Sequence, residues 1–184
     1  MRNKALAFLL GSLILILPLA ASCGAPADGI TYSAHSTPTP VTGWQVGNLA
    51  PEFNLIDLDA KGVSLRDFAG KPVLINFFAT WCPPCREEMP YLQQVYDKWS
   101  PKGLVLLEIN IGESAATVRD FLSANNLSLP VLLDLTGRAA RDYAIDPIPA
   151  TFFIDSSGVI RQKVVGAFPN LKTLENELAK IMPQ

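Results

Sequence analysis

The sequence predicts an α/β fold in which helices pack on a mixed central sheet. Short, nearly unbroken apolar runs alternate with stretches of helical periodicity from Val73 onward. The chain closes with a hairpin pattern followed by an amphipathic stretch. Its 184 residues leave room for one globular domain with a substantial core, plus an appendage. No internal repeat is visible.

Taken in order, the elements begin with an N-terminal hairpin. Phe53-Asn54-Leu55-Ile56 and Val63-Ser64-Leu65 flank the turn residues Asp59-Ala60-Lys61-Gly62. Lys71-Pro72 leads into Val73-Leu74-Ile75-Asn76-Phe77-Phe78, an apolar run suited to a central strand buried on both faces. A helix follows, with Met89, Leu92, Val95, Tyr96 and Trp99 on one side. Leu104 to Ile109 reads as a second, parallel strand, and Leu129 to Leu133 as a short one between helices at Thr117–Ala124 and Thr136–Tyr143. Ala150 to Ile154, the turn Asp155-Ser156-Ser157-Gly158 and Val159 to Val165 form the closing hairpin. Leu171, Leu174, Leu178 and Ile181 recur at three and four, marking the last helix.

The apolar fraction of 49% is high for such a chain, and much of the excess sits in MRNKALAFLLGSLILILPLAASC at the N-terminus. Arg2 and Lys4 precede an apolar run from Ala5 to Leu17, interrupted by Gly11 and Ser12 and closed by Pro18. A spanning helix needs about 20 apolar residues, so residues 1–22 read as a secretory signal peptide, with an uncleaved anchor helix as the alternative. Either reading puts the rest outside the cytoplasm. Leu19-Ala20-Ala21-Ser22-Cys23 resembles the lipobox of bacterial lipoproteins, although Ala20 stands where that motif usually has leucine. The resemblance implies lipidation of Cys23, removal of an otherwise unpaired thiol, and anchoring on the outer face of the bacterial cytoplasmic membrane. Residues 23–43, rich in Ser, Thr, Pro, Gly and Ala, read as a flexible linker, and residues 44–184 as the domain. His35, the only histidine, lies in the linker and receives no role. Net charge is −2 with no basic run in the mature part, so nucleic acid is not an expected partner. A monomer is expected.

Two of the three cysteines stand in Ala79–Pro90, ATWCPPCREEMP. A structural zinc site wants four ligands, and no Cys or His follows Cys85. No metal is therefore expected. A disulfide closing so short a loop gains little from loop entropy. Redox exchange explains the setting better. A buried strand running into CPPC and then a helix puts Cys82 at the helix N-terminus, where free N–H groups favour a thiolate. Cys85 falls one turn in, more buried, suited to resolve a mixed disulfide. Pro83 and Pro84 are tolerated in the first turn because their missing N–H groups would be unpaired there anyway. They also leave fewer donors for the Cys82 thiolate, which predicts a reductant-like potential. The expected value is nearer thioredoxin's than that of a strong oxidase, about 150 mV apart on that scale.

Trp81-Cys82-Pro83-Pro84-Cys85 resembles the WCxxC active site of the thioredoxin superfamily, and the likeness covers most of Val46 to Ile181. It implies a thioredoxin-like fold with a redox-active disulfide and no other cofactor. Pro90, eight residues after Cys82, matches the proline inside that family's active-site helix. Pro147-Ile148-Pro149-Ala150-Thr151-Phe152 resembles the cis-proline segment, which implies a cis Pro149 and an Ile148 whose backbone pairs with an extended substrate. Trp81 would lie beside that substrate, and Gly166 matches the glycine that keeps the surface low. Within the superfamily the features resemble the membrane-anchored TlpA/ResA type. They are the exported N-terminus, the opening Ala50-Pro51-Glu52-Phe53-Asn54-Leu55, an inserted α/β segment from about Gly112 to Leu133, and Asn76 with Glu88. Asn76 occupies the place of the buried aspartate of cytosolic thioredoxins; a plain core polar residue is the alternative, since an amide cannot act as a base. Glu88 lies three residues after Cys85 on the same helix face and is expected to take the Cys85 proton during resolution. Its negative charge would also raise thiol pKa values, and a surface carboxylate is the alternative reading.

These features imply an extracytoplasmic thiol–disulfide oxidoreductase working as a reductant on disulfide-containing proteins. The resemblance further implies a membrane electron donor of the DsbD/CcdA type and apocytochrome c as a substrate. Two alternatives differ in chemistry. A peroxiredoxin shares the APEFNL-like opening, but that family places its threonine further from the cysteine than Thr80-Trp81-Cys82 allows and lacks a second thiol three residues later. A copper-delivery protein on the same fold would recruit a distal histidine, which the domain lacks.

Overall fold

The computed structural model describes residues 41–182. The expected signal peptide, the lipidated Cys23 and His35 lie outside the described residues.

The hairpin pattern folds as strands β1 (Asn54–Asp57) and β2 (Gly62–Ser64). β3 (Val73–Phe78) runs into helix α1 (Pro83–Trp99), and β4 (Val105–Ile111) into α2 (Ala115–Ala124). β5 (Val131–Asp134), α3 (Arg138–Asp142), the hairpin β6 (Ala150–Ile154) with β7 (Ile160–Val165), and α4 (Leu171–Leu178) complete the chain. The seven strands form one sheet in the order β2-β1-β5-β4-β3-β6-β7. β3, β4 and β5 are mutually parallel, and the remaining pairs are antiparallel, so the sheet is mixed as expected. The inserted segment supplies α2 and β5, and β5 joins the N-terminal hairpin to the central strands.

Every residue of β3 is buried, which explains its unbroken apolar run. Its alternate residues feed two cores. Leu74 and Phe78 face Leu106, Phe153 and the α1 residues Cys85, Met89, Leu92 and Val95, with Leu174 and Leu178 of α4 beside them. Ile75 and Phe77 face Leu107, Ile109, Phe152 and Tyr143 on the other side. There the rings of Phe77, Phe152 and Tyr143 meet at centroid distances of 5.3, 6.0 and 5.0 Å. The Tyr143 hydroxyl donates to the Pro51 carbonyl at 2.7 Å and ties the entering chain to this core.

Differences from the sequence expectation lie at element ends. The helix expected over Thr136–Tyr143 is only Arg138–Asp142, because Gly137 at φ +67° turns the chain just before it. α2 starts two residues early, where the Ser114 side chain accepts from the Thr117 N–H at 3.2 Å. α4 ends at Leu178, yet Ile181 remains buried in the turn that follows. Residues 41–43, expected as the end of the linker, are tied to the domain: Leu49 donates to the Val41 carbonyl at 3.0 Å and accepts from Gly43 at 2.9 Å.

Candidate active site

β3 delivers the chain to the N-terminus of α1, and the site is built at that junction. Cys82 is the N-cap residue of α1; its sulfur accepts from the Cys85 N–H at 3.3 Å. Pro83 and Pro84 fill the first two helical positions, so neither offers an N–H to that sulfur. Cys82 and Cys85 form a disulfide, with Cys85 fully buried and Cys82 showing a small accessible edge. No acidic residue lies in the first turn of α1 to oppose a thiolate there. The helix continues through Pro90, whose carbonyl accepts from the Gln94 side chain at 3.1 Å.

The loop before β6 approaches from the other side. The Ile148–Pro149 peptide is cis, as the resemblance implied, and so is Asp146–Pro147, which no sequence feature indicates. The Ile148 carbonyl oxygen stands 4.0 Å from Cys82 Sγ. The Gly166 N–H donates to the Pro149 carbonyl at 2.8 Å, and Gly166 has φ +93°, a conformation that favours glycine. Trp81, next to Cys82, and Val165, next to Gly166, leave apolar surface open, 69% and 51% exposed.

A buried polar cluster centres on Glu88, one helical turn after Cys85. Glu88 is fully buried, which overturns the surface-carboxylate alternative; Glu87 beside it is exposed. The Asn76 side-chain amide donates to Glu88 Oε1 at 2.8 Å and to Thr151 Oγ1 at 2.9 Å, while the Phe168 N–H donates to Glu88 Oε2 at 2.9 Å. Burial pushes the Glu88 carboxyl up to about 7, and the bonds from Phe168 and Asn76 offset only part of that rise. A carboxyl poised there exchanges a proton readily near neutrality. Asn76 is thus no isolated core polar residue, since it holds Glu88 in place.

Several members of this region carry no strong sequence signal. Glu113 accepts from the Thr80 N–H at 2.7 Å, the Thr80 hydroxyl at 2.6 Å and the Asn110 amide at 2.7 Å, and so braces the loop ahead of Trp81. The polar stretch Asn110-Ile111-Gly112-Glu113 at the end of an apolar strand is the available signal. Phe168 and Thr151 act at long range, which no local pattern shows. Glu108, a charged residue inside the run Leu104–Ile109, is completely buried, although the sequence marks it only as part of a strand. Among the described residues no group of three or more His, Cys, Asp or Glu is placed to hold a metal.

The sequence pattern of the AhpC/TSA family matches residues 46–163. A thiol-disulfide oxidoreductase ResA from Bacillus thuringiensis subsp. konkukian is 37% identical over 139 residues, covering 76% of this chain and 80% of that protein. The protein of the same name from Geobacillus thermodenitrificans is 34% identical over 172 residues, 94% of each chain. Among solved structures, StoA from Bacillus subtilis superposes with a TM-score of 0.60 at 27% identity, covering 68% of this chain and 95% of that one. A thiol:disulfide interchange protein of the thioredoxin family from Chlorobium tepidum TLS gives 0.64 at 31% identity, covering 72% and 94%.

Proposed function

Because the chain belongs to the AhpC/TSA family, alongside the ResA-type thiol–disulfide oxidoreductases, we propose that it is an extracytoplasmic enzyme that reduces disulfides in proteins. The observation that carries this reading is the Cys82–Cys85 pair at the start of α1, backed by a buried carboxyl one helical turn further on.

In the reduced enzyme the Cys82 thiolate attacks one sulfur of a substrate disulfide. A mixed disulfide forms, and the other substrate sulfur leaves as a thiolate that takes a proton from solvent. The Cys85 thiol then passes its proton to ionised Glu88, and the Cys85 thiolate attacks Cys82 Sγ. That step closes the Cys82–Cys85 disulfide and releases the second substrate thiolate. Two electrons move to the substrate; the second thiolate takes up the proton that Cys85 gave to Glu88, which returns to its ionised form, so that with the proton from solvent both substrate sulfurs end as thiols. Ile148, Trp81 and Gly166 form the surface on which an extended substrate segment lies, with Pro149 setting the position of Ile148.

The oxidised enzyme must be re-reduced, and outside the cytoplasm the glutathione and thioredoxin pools are absent. A membrane electron donor of the DsbD/CcdA type fits this need. The signal peptide at 1–22 would export the domain and the lipid on Cys23 would hold it at the outer face of the membrane, with residues 23–40 as tether. Support comes from the sequence pattern and from the Geobacillus match, which takes in part of the segment before residue 41. Apocytochrome c, whose haem-attachment segment carries two cysteines, is the proposed substrate. Redox titration against a thiol–disulfide buffer tests the direction of transfer. A potential near thioredoxin's is expected, and one near the strong-oxidase end of the scale overturns the reductant reading. Peroxide turnover separates the peroxiredoxin alternative: consumption no faster than that of Cys82→Ser supports disulfide reduction.

A further inference from the structure

Glu108 takes no part in the steps above, yet its environment calls for a role. In the parallel pairing of β3 with β4, Glu108 stands directly opposite Asn76, and Asn76 stands opposite Thr151 of β6. Residues in register on neighbouring strands share a face, so Thr151, Asn76 and Glu108 make one polar row across three strands. It is the face against which α1 packs, carrying Glu88 above Asn76. Beyond Glu108 the row ends at Val131 of β5, which offers no polar partner.

Two sets of orphaned atoms meet in this row. Both Asn76 amide hydrogens are used, by Glu88 and Thr151, but Asn76 Oδ1 has no donor among the described residues. Both Glu108 carboxyl oxygens also lack a partner, and the side chain is completely buried. An ionised carboxylate is acceptor-only and could not answer an amide oxygen; a protonated one carries an O–H that can. We propose that Glu108 is a neutral acid that donates its O–H to Asn76 Oδ1, and is thereby the positioning residue that keeps the Asn76 amide hydrogens turned toward Glu88 and Thr151.

The electrostatics run the same way. Burial raises the Glu108 carboxyl well above the usual carboxylate range, and the nearby charge of ionised Glu88 raises it further. The other residues facing Glu108 in its row, Asn76 and Thr151 on one side and Val131 on the other, do not titrate. Along β4 the next polar side chain on this face, Asn110, is engaged with Glu113. Two carboxyls around one amide therefore divide their tasks: Glu108 keeps its proton, and Glu88 exchanges one. An amide that turned over would present its oxygen to Glu88 and remove a bond that favours the ionised form.

The inference rests on the proposed role of Glu88, and its test separates the two. In the purified full-length protein, the pH dependence of disulfide reduction is measured for wild type, Glu108→Gln and Glu108→Leu. Gln keeps a donor for Asn76 Oδ1, and Leu does not. Glu108→Leu is expected to raise the pH midpoint of the Glu88 limb and slow reduction at neutral pH by about tenfold. Glu108→Gln is expected to restore both. Infrared spectra recorded above that midpoint should show the carbonyl stretch of a protonated carboxyl in wild type and lose it in Glu108→Gln. A wild-type profile in Glu108→Leu, equal damage in both variants, or no protonated-carboxyl band in wild type overturns the proposal. If Glu88→Gln leaves the pH profile unchanged, the Glu88 reading fails, and the infrared comparison alone decides for Glu108.

Discussion

As the proposed proton acceptor, Glu88 would tie the reaction to acidity, and its buried carboxyl ties stability to acidity as well. Its carboxyl is raised from 4.5 to about 7 in the fold, chiefly by burial. The folded state therefore binds more protons than the unfolded state between these values, and this group's contribution to stability falls as pH rises from 4.5 through 7. Glu88→Gln removes the cost of burying the charge. It should stabilise the oxidised protein by about 3 kcal/mol above neutrality, since each tenfold change in proton affinity is worth about 1.4 kcal/mol. Near pH 4 this gain should vanish, as denaturant titrations at both pH values would show. Activity moves the other way: accepting the Cys85 proton requires ionised Glu88, so reduction of substrate should rise with pH through about 7. Glu88→Gln should flatten that limb and slow resolution by about 100-fold, the usual reach of one general base. If the limb and rate survive, Glu88 is not the acceptor. Pro84 gives an independent test at the other sulfur. Pro84→Ala restores an N–H at the second helical position, beside the one Cys85 already directs at Cys82. The Cys82 thiol pKa, read from alkylation rate against pH, should fall. The potential should become more oxidising by about 30 mV for each tenfold stabilisation of the reduced form.

At α1 and the strands beneath it, the sequence is informative wherever a signal is local. The buried run Val73–Phe78, the two prolines after Cys82 and the spacing of Met89, Leu92 and Val95 define the strand-to-helix junction and the face that α1 buries. Cys82 and Cys85 follow from that junction, and the three-residue step to Glu88 places it on their face. What holds Glu88 is hidden, because Asn76 is twelve residues away and Phe168 eighty. The polar row of Thr151, Asn76 and Glu108 likewise exists only through strand register. α3 is shorter than its periodic pattern suggests, because that pattern does not reveal that Gly137 has to turn first. The exposed surface formed by the α1 entry loop and β7 carries its own expectation. On the proposed reading Trp81 touches substrate without touching its proton chemistry, so Trp81→Ala should raise KM for a disulfide-bonded protein severalfold. Its rate with a small aromatic disulfide should change little. Equal loss with both substrates would show that Trp81 supports the site itself.

At the scale of the domain, one seven-stranded sheet among the described residues carries the Cys82–Cys85 pair at the end of a central strand, and on the proposed reading the segment before residue 41 sets where it works. A domain tethered by residues 23–40 would meet disulfides in proteins emerging at the membrane and electrons from a donor within it. Both partners would use the same exposed edge of Cys82, since Cys85 is fully buried. Cys85→Ala leaves Cys82 able to attack and removes the thiol that would release the substrate. Cells producing the full-length Cys85→Ala protein should accumulate covalent adducts, resolved by non-reducing electrophoresis and identified by mass spectrometry. The account predicts adducts through Cys82 to exported cysteine-pair proteins, apocytochrome c among them, that disappear in Cys82→Ser/Cys85→Ala. Adducts that persist without Cys82, or no adducts at all, would contradict it.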